Sequence, residues 1–269
     1  MSGVLRLTRR YYRTIPPSSP GYETEPLELP VEQTALVPLH CWDIGCPGGA
    51  AYDDAYCVGM GYPGVMAEEY RIMREMIRPA MDAARECGVA VCHVQDMRIA
   101  RHYPQWLEEA DRPAESAIPT ASAPSEAIPG HRKAMLERAH GVAYNDRSGL
   151  ATMDIPEVVA PLPDEPVAHQ TAQFDRMLRE RGIVNLIYAG FATDMCILNA
   201  PGGMGPMLGL GYRVILMRDA TIGVEPPDFL EERIATRWGI RFHEAHWGDT
   251  ITTAEFIAAC KTAQEESDE

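Results

Sequence analysis

Cations, cysteines and long apolar runs are all scarce in this chain, and each scarcity closes off a class of function. Only 24 basic side chains stand against 39 acidic ones in 269 residues, a formal net charge of −15. A nucleic-acid backbone or an anionic membrane surface would find nothing to hold. Seven cysteines are too few for a disulfide-stapled scaffold, and their odd number would leave one unpaired, which fits a reducing compartment. No run of about eighteen uncharged apolar residues occurs. The glycine-rich stretch Gly202–Gly211 comes closest, and the opening MSGVLRLTRRYYRTIPPSSPG has no apolar core of the signal-peptide kind. The expectation is a cytoplasmic protein with a small-molecule partner and neither nucleic acid nor membrane.

Apolar content is ample, at 46%, and a chain of this length can bury one full core. Residues 1–33, mixed in charge and rich in proline and tyrosine, read as an amino-terminal arm laid over a single domain that spans 34–269. TALVPL at Thr34–Leu39 is the first buried-strand candidate, with Pro38 counting against a central position. A glycine- and proline-rich loop follows over 45–65. Helical spacing then runs from Met66 to Cys87, stopped by Gly88. VAVCHV at Val89–Val94 is the second strand. A long excursion, 103–166, has room for a short helix at His131–Ala139. Beyond it come VAH at 167–169, a helix near Phe174–Glu180, the strongest strand at Val184–Ala189, and an apolar helix from Cys196 to Leu210. A strand at Tyr212–Met217, a helix at Asp228–Trp238, a short strand at Arg241–Ala245 and a last helix at Thr252–Thr262 complete the alternation. It predicts a three-layer α/β fold with a six-stranded, mostly parallel, doubly wound sheet.

Open parallel sheets bind ligands beyond the carboxyl ends of their strands. The polar residues at those tips are His40 and Asp43, then Gln95, Asp96 and Arg98, then His169, then Thr193, Asp194 and Cys196, then Asp219. Cys196 stands out. Gly190 allows a tight exit from its strand and sets the thiol in the first turn of the next helix, where unpaired N–H groups stabilise a thiolate. The N–H groups of Ala192 and Cys196 could hold the oxyanion formed when a carbonyl is attacked. Against this stands the tendency of cysteine to be a buried core residue. Cys41 is a rival nucleophile without the helix-terminal field. His93 reads as a core histidine, Asp219 as the organiser of a turn, and His243 and His246 as neighbours of Trp247 near the last strand.

The string GIVNLIYAGFATDMCILNA, followed by LGYRVILMRDATIG, resembles the isochorismatase-like cysteine hydrolases. The matching positions are Gly190, Phe191, Ala192, Thr193 and Cys196, then Gly211 and Asp219-Ala220, with TALVPL as the opening strand. The resemblance runs from about Thr34 to the end. It implies a three-layer α/β domain, a nucleophile at Cys196, a cis peptide in the small pair before Thr193, and substrate contacts from Phe191, Ala192 and Thr193. It also implies an aspartate base and a supporting lysine, and here the pattern breaks. His40 stands in the aspartate position with Asp43 three residues on, and His169 or Ala168 stands in the lysine position. No lysine occurs between Lys133 and Lys261.

Three readings compete for those replacements. In the first, His40 activates Cys196, with His169 or Asp43 orienting or assisting, because imidazole and thiol are matched in pKa. In the second the site has lost its chemistry and the fold serves as a small-molecule-binding or scaffold protein. In the third, His40, Asp96 and His102, with His93, bind a metal. Arg98 stands where family amidases carry a metal-ligating histidine, so no metal and no cofactor is expected. Arg98 itself reads as a surface residue or as a clamp for a substrate carboxylate, beside Asp96. The first reading predicts hydrolysis of a C–N bond in a small amide or carbamoyl compound through a covalent intermediate on Cys196. The apolar 196–210 segment further predicts a homo-oligomer, a dimer or tetramer.

Overall fold

The computed structural model describes residues 3–52, 61–106, 130–142 and 148–268. Among these, strand segments β1 (Val4–Arg13), β2 (Gly21–Pro30), β3 (Thr34–Leu39), β4 (Ala90–Val91), β5 (His93–Val94), β6 (Val167–Ala168), β7 (Asn185–Phe191), β8 (Arg213–Ile222) and β9 (Asp249–Ile251) form one sheet. Its order is β2-β1-β9-β8-β7-β3-β5-β6, with β4 also pairing β3.

TALVPL is buried along its whole length, as an uninterrupted apolar strand with covered faces should be. It runs parallel to β7 from Thr34↔Asn185 to Leu39↔Gly190 and, on its other side, parallel to β4 and β5. So β3 is central despite Pro38. The carbonyl of Leu36 accepts from Cys92 N–H, and His40 N–H donates to Val94 O. The even positions therefore face β4 and β5, and the donor that Pro38 lacks falls opposite Cys92. There the neighbouring strand breaks into its two short segments. Counted as one interrupted strand, they complete the six parallel strands expected.

The segment expected as an arm laid over the domain is a β-hairpin. Residues 4–13 and 21–30 pair antiparallel throughout, and β1 joins β9 antiparallel at Arg10↔Thr250. Leu5, Leu7, Leu27 and Leu29 belong to the core. The alternation that buries them is obscured in the sequence by arginines and tyrosines on the other face.

Helices α1 (Pro63–Ile72) and α2 (Arg78–Cys87) are one rod joined by a π-turn at Met73–Ile77. Pro79 has no N–H and would crowd the carbonyl four residues back, and the wider turn accommodates it. Gly88 ends the rod at φ +87°. Then follow α3 (Met97–Ala100), α4 (His131–His140), α5 (Thr171–Glu180), α6 (Cys196–Asn199), α7 (Met204–Gly209), α8 (Ile234–His246) and α9 (Thr253–Asp268). Ile72, Met73, Ile77, Met81, Phe256 and Cys260 pack on one face of the sheet with Ile187, Ala189 and Phe191 of β7. Phe174, Met177, Met204 and Met207 pack on the other with Leu186 and Tyr188. Alternate β7 residues thus serve two cores, which makes the three-layer α/β arrangement.

Three expectations are corrected. The strand read at Arg241–Ala245 lies inside α8, and the last parallel strand is β9, three residues beyond that helix's end. The helix read at 196–210 is two short pieces separated by Ala200-Pro201-Gly202-Gly203. A Cβ on Gly203 would lie 2.8 Å from Cys196 O and 2.9 Å from Ala200 O, so the chain folds back on α6 there. Helix α8 begins at Ile234, where Glu225 accepts from Ala235 N–H, Thr236 N–H and Thr236 Oγ1. Most of the linker-like IPTASAPSEAIPG and residues 53–60 of the first loop lie outside the described residues. No helix among the described residues is long and apolar enough to cross a membrane.

Candidate active site

The tips of β3 and β7 are in contact by construction. Gly190 pairs with Leu39 at φ +117°, and a Cβ there would sit 2.1 Å from Leu39 O. Only glycine permits that approach. The Phe191–Ala192 peptide that follows is cis. Thr193 is buried, its hydroxyl 2.7 Å from that of Thr221 and its N–H committed to Ile222 O at 3.0 Å. Asp194 accepts from Val224 N–H at 2.8 Å. Burial pushes its pKa up against that bond. The turn closes on Ala192 O, which accepts from Met195 and Ile197 N–H groups, each at 3.1 Å. Cys196, partly buried, then opens α6. Because α6 is a single turn rather than the head of a fifteen-residue helix, few peptide dipoles align behind the thiol. The local field expected for a long helix is reduced to that of the turn's own N–H groups.

His40 follows Leu39 directly, at φ +50° and 8% exposed. Its ring stacks on Trp42, centroids 4.9 Å apart and planes 24° from parallel. Trp42 Nε1 donates to Gln95 Oε1 at 3.1 Å, and Gln95 N–H donates to Ala168 O, so one chain of bonds links the tips of β3, β5 and β6. Asp43 is engaged elsewhere. Its Oδ1 accepts from Asp154 N–H at 2.9 Å, and its own N–H donates to Asp154 O. Burial raises its pKa while the N–H groups of Asp154 and Ala50 oppose the rise. Asp154 in turn accepts from the Tyr103 hydroxyl at 2.7 Å and lies 3.5 Å from His102 Nδ1.

His169 directly follows β6, with its Nδ1 2.6 Å from Trp106 Nε1. An indole N–H can only donate, so Nδ1 is the acceptor and the ring proton sits on Nε2. Gln173 Oε1, 3.0 Å from the same nitrogen, accepts from His169 N–H at 2.9 Å. Burial lowers the His169 pKa, with the Asp96 carboxylate acting the other way. Arg98 is not a free clamp: Asp96 Oδ1 accepts from Arg98 N–H at 2.9 Å and from its guanidinium at 3.1 Å.

The remaining candidates sort by burial. Cys41 is fully buried, and desolvation drives its thiol far above the ordinary value, so it is a poor rival nucleophile. His93 Nε2 meets Glu165 at 3.3 Å in the interior, as a core histidine would. Asp219 caps α9 through Thr253 N–H at 2.9 Å. His243 is buried against Asp249 O at the amino end of β9, the opposite end from the tips. His246 is exposed beside Phe242. Among the described residues no three His, Cys, Asp or Glu side chains cluster as a metal site, and the set His40, Asp96, His102 and His93 is not brought together. Trp42, Trp106, Gln173 and Asp154 escaped the sequence reading. Trp106 and Asp154 fall in the polar excursion, where a lone tryptophan and the pair Met153-Asp154 before an apolar run were the available signals.

No protein-family model matches the chain. It is similar to the ureidoacrylate amidohydrolase RutB of Rhizobium rhizogenes, 25% identical over 246 residues that cover 89% of this chain and 88% of that protein. The protein of the same name from Agrobacterium fabrum is 24% identical over 246 residues, covering 89% and 95%. Among solved structures, a cysteine hydrolase from Pseudomonas syringae pv. phaseolicola superposes with a TM-score of 0.51 at 16% identity, over 87% of this chain and 95% of that one. The structural likeness is one of fold, a three-layer α/β sandwich with a mostly parallel sheet.

Proposed function

We propose that this chain is a hydrolase that cleaves a C–N bond of a small ureido, carbamoyl or amide compound through a covalent intermediate on Cys196. The observation that carries the reading is the Leu39↔Gly190 pairing. It makes neighbours of the strand tip that continues into His40 and the tip that continues through the cis turn into Cys196. Adjacent strands lie about 4.8 Å apart, within reach of two tip side chains. The names of the Rhizobium and Agrobacterium relatives favour a ureido substrate.

In the proposed reaction His40 takes the Cys196 proton, and the thiolate attacks the carbonyl carbon. Collapse of the tetrahedral adduct breaks the C–N bond, and the imidazolium gives its proton to the departing nitrogen. Water, deprotonated by His40, then attacks the acyl- or carbamoyl-thiol and releases the second product with the free thiol. His169 donates from Nε2–H to the substrate carbonyl, a role its tautomer suits. Thr193 N–H, held by Ile222 O, takes no part in the oxyanion site, whose donors in this scheme are the N–H groups of Ala192 and Cys196.

The test uses ureidoacrylate and an N-carbamoyl amino acid as substrates, together with iodoacetamide labelling at pH 7. Cys196→Ala should abolish turnover. His40→Ala should lower kcat/KM by about 10²–10⁴-fold and slow alkylation of Cys196, which in the parent protein should outpace the other cysteines. Equal, slow labelling of all cysteines with no turnover of either substrate would favour a binding protein.

A further inference from the structure

The ring of His40 rests on a support that proton transfer from a thiol does not by itself require. In an extended strand, residues two apart stand on the same face about 6.5 Å from each other. His40 leaves that geometry at φ +50°, a left-handed conformation that histidine adopts more readily than most side chains. Its ring closes to 4.9 Å from the indole of Trp42, with the planes 24° from parallel. The backbone is anchored on both sides of the pair, by His40 N–H on Val94 O at 3.0 Å and by Asp43 N–H on Asp154 O at 2.9 Å. The indole is pinned as well: Trp42 is 7% exposed within the core, and its Nε1 donates to Gln95 Oε1 at 3.1 Å. An indole N–H can only donate, so the Gln95 amide must present its oxygen to Trp42. Gln95 is itself buried, with its N–H held by Ala168 O at 2.8 Å, and the support is thereby built into the sheet.

We propose that Trp42, held by Gln95, is the positioning residue of His40: its face fixes the plane of the imidazole and favours the imidazolium. The inference rests on the reading of His40 as the base. A histidine that takes a proton from a nucleophile is oriented by a third group, and in the serine triads that group is a carboxylate. Asp43, the acid closest to His40 in the chain, has its Oδ1 on Asp154 N–H instead. The indole supplies both parts of the carboxylate's role. Stacking fixes the ring plane, and the negative face of the indole attracts the cation formed when His40 takes up a proton. That attraction is stronger for a ring withdrawn from water, as the ring of His40 is. The other ionisable groups at these strand tips are Asp43, the Asp96–Arg98 pair after β5, His169 after β6, and Asp194 and Cys196 after β7, while the buried Glu69 of α1 acts on the neighbouring Cys41. Substitution of Trp42 leaves every one of them in place, so a change in the His40 titration on that substitution belongs to the indole.

The experiment is a proton NMR titration of the His40 ring in the full chain, its resonances assigned with His40→Asn, alongside iodoacetamide labelling of Cys196 across the neutral pH range. In the parent, the indole ring current should place the His40 ring protons upfield of those of the exposed His131. Trp42→Leu should lower the midpoint of the His40 titration by about half a pH unit and slow labelling of Cys196 at pH 7. On a substrate that the parent turns over, the same variant should lower kcat about tenfold with KM little changed. Trp42→Phe keeps an aromatic face and should recover most of both effects. Gln95→Met removes the acceptor of the indole N–H and should shift the titration in the same direction by less. The proposal is overturned if the His40 ring protons of the parent show no upfield shift, or if a folded Trp42→Leu leaves the titration where it was. The parent spectrum decides the matter where Trp42→Leu does not fold. A titration that moves while Cys196 labelling stays the same leaves the stack standing and sinks the pairing of His40 with Cys196 instead.

Discussion

Glu165→Gln isolates the anchor of the sheet's β6 edge, the strand that leads into His169. Glu165 accepts from Arg85 at 2.7 and 2.9 Å, from Leu162 N–H at 2.8 Å and from His93 at 3.3 Å. The side chain is 7% exposed and that of Arg85 19%. Burial alone would raise this carboxyl, yet the bonds from His93, Arg85 and Leu162 outweigh it and hold the pKa at about 2. Compared with an ordinary 4.5, and at about 1.4 kcal/mol per tenfold, ionisation of Glu165 contributes about 3 kcal/mol of stability. The folded pKa is the lower one, so the contribution is complete above 4.5 and disappears as the pH falls toward 2. His93, kept neutral by burial, subtracts stability in both proteins as the pH falls below 6.5. Urea unfolding of parent and variant should therefore differ by about 3 kcal/mol at pH 7, with the gap shrinking markedly by pH 3. A gap below about 1 kcal/mol at pH 7, or one that is unchanged at pH 3, would refute the reasoning.

Gly190→Ala must place a Cβ 2.1 Å from Leu39 O at φ +117°, and should cost about 3 kcal/mol or more; a urea midpoint within about 1 kcal/mol of the parent would contradict the tight β3–β7 tip. Trp106→Phe removes the donor that holds His169 Nδ1, so the imidazole should titrate at higher pH in NMR than in the parent; an unchanged titration would deny the Trp106–His169 bond. Turnover should fall on acidification as His169 takes up a proton at Nδ1 and breaks that bond, and a rate flat down to pH 5 would argue against His169 as a donor from Nε2. The homo-oligomer expected from the 196–210 segment has lost part of its basis, since Met204 and Met207 are buried within one chain while Met195 and Leu210 stay exposed. A monomer mass by light scattering would withdraw it.

The parallel core was legible because β3, β7 and β8 are apolar runs bounded by glycine or polar residues, and burial on both faces leaves that signature. The helix–strand division at 228–245 was not. Gly239 sits inside α8, where a Cβ would come 2.9 Å from Thr193 O; the glycine is a packing requirement, invisible without the partner. In the site, the sequence located Cys196, His40 and His169 as strand-tip residues, because tip position follows from strand ends alone. It could not foresee that Asp43 bonds Asp154, or that Arg98 folds back on Asp96, because both depend on loop paths that periodicity does not encode. The N-terminal hairpin was hidden for another reason: each strand has one wet face, and its arginine, tyrosine and glutamate residues dominate the composition.

That hairpin also decides what the margins of the sheet can do. The outermost strand, β2, carries Glu23, Glu25 and Glu28 with Pro26 and Pro30, so its rim is acidic and lacks donors at two positions. The opposite margin, β6, is two residues long. Among the described residues, both features disfavour extension of the sheet by another chain at its rims. Shortening the chain to begin at Thr34 would bare the flank of β9 and strip Leu5 and Leu29 from the core, turning an insulated margin into an adhesive one.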